Sequence, residues 1–237
     1  MTAKGRLSIR MQLAATVDHL RSRLRPRPDP HRTIFTDIYR RGMWANNETV
    51  SGPGSTRERA AAFRGDLIAL MQQLDVRVLL DVGCGDFNWM VDVGDSVETY
   101  IGVDVVPDLI TRNVQRYGSP RRTFLCRTVM ADPLPRADLV LCRDCLVHFS
   151  LADIHAAVRN LVRSESKYLL TTTFLDTRLN AEVETGGWRE LNLEQAPFFF
   201  PPPVALIDER CLHTEGRYRS KRLALWALNS FPAETGL

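Results

Sequence analysis

Two short stretches of this chain hold residues whose types and spacing could do chemistry. The first is Asp81-Val82-Gly83-Cys84-Gly85. Glycine reaches backbone angles that other residues avoid, and without a side chain it lets a ligand approach the main chain. Asp104 follows about 20 residues beyond the glycines, where an acid can bind ribose hydroxyls. The second stretch is Arg143-Asp144-Cys145-Leu146-Val147-His148. Histidine titrates close to neutrality, so His148 is the candidate general base for removing a proton from an alcohol. Asp144 could orient it, bind a divalent metal such as Mg, or touch an amino group of a ligand. Cys142 and Cys145 form a C-x-x-C, and Cys84 and His148 could approach it. Without a second C-x-x-C or a thioredoxin-like helix start, a zinc or redox role is the weaker reading.

These residues need a frame. Val78-Leu79-Leu80 is an apolar run of buried parallel-strand type, ended by Asp81. Further strands are expected at Tyr100–Asp104, Thr123–Thr128, Ala137–Cys142, Tyr168–Phe174 and Arg219–Leu228. Helices are expected at Ile34–Tyr39, Thr56–Leu74, Pro107–Tyr117 and Leu151–Ser164. Strands alternating with helices give an α/β, doubly wound, parallel sheet. The glycine turn and the end of the fourth strand then meet at the carboxyl edge of that sheet, where such folds bind ligands. Ser51-Gly52-Pro53-Gly54-Ser55 reads as a loop that could fold over the ligand. Residues 175–215 break the alternation with Gly186-Gly187-Trp188 and Phe198-Phe199-Phe200-Pro201-Pro202-Pro203. Trp188, Phe199 and Tyr39 are candidate substrate contacts, because aromatic faces suit a sugar or another flat apolar surface.

The ligand can be narrowed. A dinucleotide prefers Gly-x-Gly-x-x-Gly, and Asn88 stands at the third glycine position. Asp81 before the turn suits a ligand with an ammonium group and no pyrophosphate; S-adenosylmethionine fits. At Asp81-Val82-Gly83-Cys84-Gly85, Gly102-Val103-Asp104 and Asp138-Leu139-Val140-Leu141 the sequence resembles the class I S-adenosylmethionine-dependent methyltransferases, over residues 75–230. That resemblance implies a Rossmann-like, mostly parallel seven-stranded sheet. It implies that Asp81, Gly83, Cys84 and Gly85 hold the amino-acid end of the donor, with Asn88, Trp89 and Arg143 close by. Asp104 and Val105 would meet the ribose, and Thr128 and Val129 would flank the adenine; Thr128 stands where relatives often have an acid. Segment 175–215 corresponds to an insertion that shapes the acceptor pocket. Amino-methylating enzymes usually carry an Asp/Asn-Pro-Pro-aromatic stretch where Arg143-Asp144-Cys145-Leu146 stands, so nucleic-acid bases are not the expected acceptor. Ser51–Ser55, Gly85-Asp86-Phe87-Asn88-Trp89-Met90, Gly187-Trp188-Arg189 and Asn192-Leu193 resemble a bacterial sugar O-methyltransferase branch. Within it, the resemblance reaches the 1-O-methyltransferases of mycobacterial methylmannose polysaccharide synthesis. Other hydroxyl or carboxylate acceptors, and a non-catalytic donor-binding protein, are the alternatives.

Composition sets the outer limits. The 237 residues are 44% hydrophobic and 25% charged, enough for one good core. A net charge of +3 does not describe a polyanion binder. No apolar run approaches membrane-spanning length, and the N-terminus lacks the apolar core of a secretory signal, so a cytoplasmic enzyme is expected. The expected organisation is a basic N-terminal helical arm and lid segment over 1–56, then a methyltransferase domain over 57–237. The arm is read as a flexible segment that packs loosely or dimerises, with binding to nucleic acid or a membrane surface as the alternative. The expected partner is a small-molecule or oligosaccharide acceptor.

Overall fold

The computed structural model describes residues 29–211 and 218–231. The helix expected near Met11 to Leu20 and the rest of the arm up to residue 28 lie outside them. Seven strands form one sheet: β1 (Val78–Val82), β2 (Thr99–Asp104), β3 (Arg122–Cys126), β4 (Leu139–Cys142), β5 (Tyr168–Phe174), β6 (Ala205–Asp208) and β7 (Lys221–Ala227). Their order is β3-β2-β1-β4-β5-β7-β6. All pairs are parallel except those of β7, which runs antiparallel to both β5 and β6. The doubly wound, mostly parallel seven-stranded architecture expected from the sequence is the one found.

Both faces of the sheet are covered, which is why β4 is apolar throughout and β1 is apolar except at Asp81. On one face, α1 (Pro30–Arg40) and α5 (Leu151–Arg163) pack Phe35, Ile38, Ile154 and Leu161 onto Leu80, Val82 and Val140. On the other, α2 (Arg57–Gln73) brings Ala60, Phe63, Leu67 and Met71 onto Leu79, Leu139 and Leu141. The remaining helices are α3 (Val91–Gly94) and α4 (Pro107–Tyr117). Caps fix the helix starts: Asp29 accepts from the His31 amide, Thr56 from Arg59 and Ser150 from Asp153. Pro30 sits in the first turn, where its missing N–H costs nothing, so α1 begins four residues before the expected Ile34.

Two local departures have physical reasons. The glycine turn leads into only a single helical turn, α3, because Asp86 to Met90 are spent on turns that seat Phe87 at φ 59° among Tyr100, Tyr117 and Phe124. Strand β6 lies inside the segment read as irregular. It is a four-residue edge strand with Leu206 exposed, and its short apolar run, Val204-Ala205-Leu206-Ile207, follows directly on three prolines.

The loop between α1 and α2 is anchored to the glycine turn by Asp86. Its carboxylate accepts from Thr49 Oγ1 (3.0 Å), the Val50 amide (3.0 Å) and Ser51 Oγ (3.1 Å). Asp86→Ala should release this loop, destabilise the fold by about 1–3 kcal/mol, and open residues 42–55 to limited proteolysis. Beneath it, buried Asp81 accepts a 2.6 Å hydrogen bond from the Tyr100 hydroxyl. Burial pushes the Asp81 carboxyl from 3.8 up to about 7, against the pull of that hydrogen bond. The folded chain therefore keeps a proton there, between about pH 4 and pH 7, that the unfolded chain has released, and stability falls as pH rises through that window. Asp81→Asn should flatten this decline, on the order of a few kcal/mol, measured as urea midpoints from pH 4 to 8.

Candidate active site

Strand β1 pairs with β2 on one side and β4 on the other, so the chain reverses direction across the sheet at β1. A crevice opens there at the carboxyl ends of the strands. The Gly83 and Cys84 amides both donate to the Val103 carbonyl, at 2.8 and 3.1 Å, folding the turn back onto β2. Gly83 has φ 72° and Gly85 φ 54°. A Cβ on Gly85 would run into Ser51 Oγ, and one on Gly83 would stand 2.9 Å from Cys145 Sγ. The two glycines thus meet both a conformational and a spatial demand. Asp104 is oriented by the Gly85 amide (3.1 Å) and the Val106 amide (3.0 Å). Burial still raises its pKa, against those hydrogen bonds.

The crevice is a cavity of about 470 Å³, within the range of small-molecule sites. One end is apolar, walled by Val105, Val106, Leu109, Val129 and Met130 beside Thr128. The middle is the glycine turn under the Ser51–Ser55 loop. The other end is aromatic and charged. Trp44 stacks on His148 with centroids 4.4 Å apart, and Trp188 packs against Phe174 and Tyr218. His148 Nδ1 lies 2.6 Å from the Gly187 carbonyl. A carbonyl only accepts, so Nδ1 carries the proton and Nε2 keeps its lone pair. Burial lowers the His148 pKa, with the Gly187 hydrogen bond and Asp144 opposing.

Four charged groups are joined beside it. Arg143 donates through Nε (3.0 Å) and Nη2 (2.5 Å) to Glu209 Oε2. Lys221 Nζ reaches the same oxygen at 3.2 Å and Asp144 Oδ2 at 2.7 Å. Burial alone would raise the Asp144 pKa; Lys221 and Arg143 outweigh it and hold the carboxylate ionised. Burial likewise opposes the charge on Lys221, and Asp144 and Glu209 restore it. Asp144 sits at φ 50°, a conformation rare outside glycine and held here by its partners.

The cavity brings together Tyr39, Gly83, Gly85, Asp104, Val105, Thr128, Val129, Arg143, Asp144, His148 and Trp188 among the residues singled out in the sequence. Others stand elsewhere. Asp81, Cys84 and Trp89 border a small adjoining pocket of about 20 Å³. Trp89 meets Phe63 edge-on and lies under the Arg143 guanidinium. Asn88 does not line the cavity: its amide holds the overlying loop through Glu48 (2.6 Å) and the Ser55 carbonyl (3.2 Å). Phe199 is 70% exposed and outside the cavity, while Phe198 and Phe200 on either side are buried. Tyr39 reaches the wall with its hydroxyl accepting from Arg112. No group of three His, Cys, Asp or Glu side chains is placed to hold a metal ion among the described residues, Cys142 and Cys145 included. Sequence reasoning missed Trp44, Arg59, Glu209, Tyr218 and Lys221, which all line the cavity. Only Lys221, a cation opening an apolar strand, carries a signal that pattern reading could use.

Residues 79–165 match the family model for the methyltransferase domain. No curated protein matches the chain. Among solved structures, it is similar to the magnesium protoporphyrin IX methyltransferase of Synechocystis PCC 6803, a structure with bound SAM. That likeness is at 14% identity and TM-score 0.53, over 82% of this chain and 95% of the other. The N-methyltransferase NodS of Bradyrhizobium japonicum WM9 aligns at 13% identity and TM-score 0.48, over 70% of this chain and 96% of the other. Two structures of the methyltransferase domain of bacterial CtHen1 align at 15% and 17% identity, both with TM-score 0.43, over 50% of this chain. The chain spans about two thirds of their length, 67% and 66%. No helix among the described residues is long and apolar enough to cross a membrane. The matched segment runs from β1 through α5, the part of the sheet that builds the glycine turn and the His148 loop: over these residues the chain carries a methyltransferase domain, on a mostly parallel seven-stranded sheet.

Proposed function

We propose that the chain transfers the methyl group of S-adenosylmethionine to a hydroxyl of a saccharide. The observation that carries the reading is the committed tautomer of His148, whose basic Nε2 belongs to a side chain on the cavity wall beneath an aromatic cover. The donor supplies a methyl on a sulfonium, which departs as a neutral thioether, so the protein's task is alignment and removal of the acceptor proton.

The cavity suits such a donor. Asp104, held by two amides, faces the ribose hydroxyls. Val105, Val106, Leu109, Thr128 and Val129 supply a slot for the adenine. Gly83 and Gly85 let the amino-acid end lie against the main chain, with Asp81 behind the turn. Arg59, half-buried on the cavity wall, has no anionic partner among the described residues, and it is the cation we assign to the donor carboxylate. A divalent metal is not needed for the step in this form, since His148 Nε2 receives the hydroxyl proton. Asp144, ionised beside His148, favours the imidazolium that results.

The acceptor end favours a sugar because Trp44, Trp188 and Tyr218 offer apolar faces next to charged hydrogen-bonding groups. The anomeric hydroxyl of a methylated mannoside is the narrowest form of the reading, and it rests on sequence resemblance. Residues 41–56, tied down by Asp86, act as the lid.

His148→Ala should lower kcat by about 100- to 10,000-fold while S-adenosylhomocysteine binding, by calorimetry, stays within twofold of the unmodified chain. The acid limb of kcat should have its midpoint below 6.5, the ordinary histidine value, because the neutral imidazole is the active form; this limb should vanish in the variant. Arg59→Ala should weaken S-adenosylhomocysteine by about tenfold and leave 5′-methylthioadenosine, which lacks the carboxylate, unaffected.

A further inference from the structure

We propose that Glu209 is a specificity-determining residue of the acceptor site, taking a hydrogen bond from a second hydroxyl of the acceptor, beside the one that is methylated. The inference rests on the saccharide reading above and deepens it.

Glu209 follows β6 directly and its side chain is 1% exposed. The two carboxylate oxygens are used very differently. Oε2 takes all the contacts, from Arg143 Nε, Arg143 Nη2 and Lys221 Nζ. Oε1 is buried and has no hydrogen-bond partner. Buried polar atoms are rarely left in this state, because losing water without a replacement is costly. Glu209 lines the cavity, so a bound molecule is the partner within reach.

Charge decides what that partner is. Arg143 and Lys221 balance Glu209 and Asp144, so the cluster has no net charge to offer. An incoming anion, such as a carboxylate acceptor, would face a carboxylate oxygen. A cation at Oε1 would have Arg143 and Lys221 against it on the other oxygen of the same carboxylate. A neutral donor avoids both, and a hydroxyl is the neutral donor that a sugar carries in abundance. Asp144 and His148 share the lining, so one hydroxyl can face His148 while a neighbour reaches Glu209. A simple phenol or carboxylic acid has no such second donor. Glu209 and Lys221 sit at the free ends of the antiparallel β6–β7 pair, so this subsite belongs to the part of the chain beyond the matched methyltransferase segment.

The test starts from the best acceptor in a panel of monosaccharides and methyl glycosides, with each hydroxyl replaced in turn by hydrogen or fluorine. In the unmodified chain, removing one hydroxyl other than the methylated one should cut kcat/KM by about 10- to 100-fold. In the E209Q protein, whose amide can donate, removing that hydroxyl should cost little, and S-adenosylhomocysteine affinity should be unchanged. Glu209→Asp keeps the charge facing Arg143 and Lys221 and serves the same comparison if E209Q does not fold. An equal penalty in the unmodified and variant chains overturns the inference. Weakened S-adenosylhomocysteine binding with unchanged hydroxyl penalties also overturns it, by giving Oε1 to the amino end of the donor. Failure to methylate any saccharide overturns the acceptor class itself, and the inference with it.

Discussion

The structure turns on one close approach. The Val103 carbonyl accepts from two consecutive amides, Gly83 and Cys84, so the chain leaving β1 must fold back over the end of β2. A side chain has no room at Gly83, where Cys145 presses on the turn, or at Gly85, where Ser51 does. The bend aims the Gly85 amide at Asp104, and Asp86 then catches the loop from above. Sheet, Asp104 and overlying loop are therefore placed by one backbone turn.

The second constraint is electrostatic. Arg143, Asp144, Glu209 and Lys221 are withdrawn from water, and each would be costly alone. Together they form a neutral array in which every charge has an opposite neighbour. It joins the ends of β4, β6 and β7, so the charged end of the cavity is held by ion pairs where the glycine turn is held by backbone hydrogen bonds.

What was readable in advance followed from local causes. The glycines, Asp104 and His148 stand next to strands whose apolar runs are unmistakable, and their spacing along the chain is their spacing in the crevice. Glu209 and Lys221 are 12 positions apart in sequence and become neighbours only through the antiparallel register of β6 on β7. Edge strand β6 is short, and its apolar run from Val204 to Ile207 is hidden behind three prolines. Asn88 stands near the donor by the family resemblance, and its side-chain amide bonds Glu48 and the Ser55 carbonyl. Phe199 belongs to an aromatic run whose members alternate in burial, and only the folded segment shows which one is left outside.

Trp44 gives the arrangement a further meaning. It comes from the segment ahead of the matched domain, yet its ring rests on His148. Phe35 of α1 touches both Trp44 and Phe149, so helix, indole and the base's own loop form one stack. Whatever exposes the crevice by lifting that stack also strips the imidazole of its neighbour.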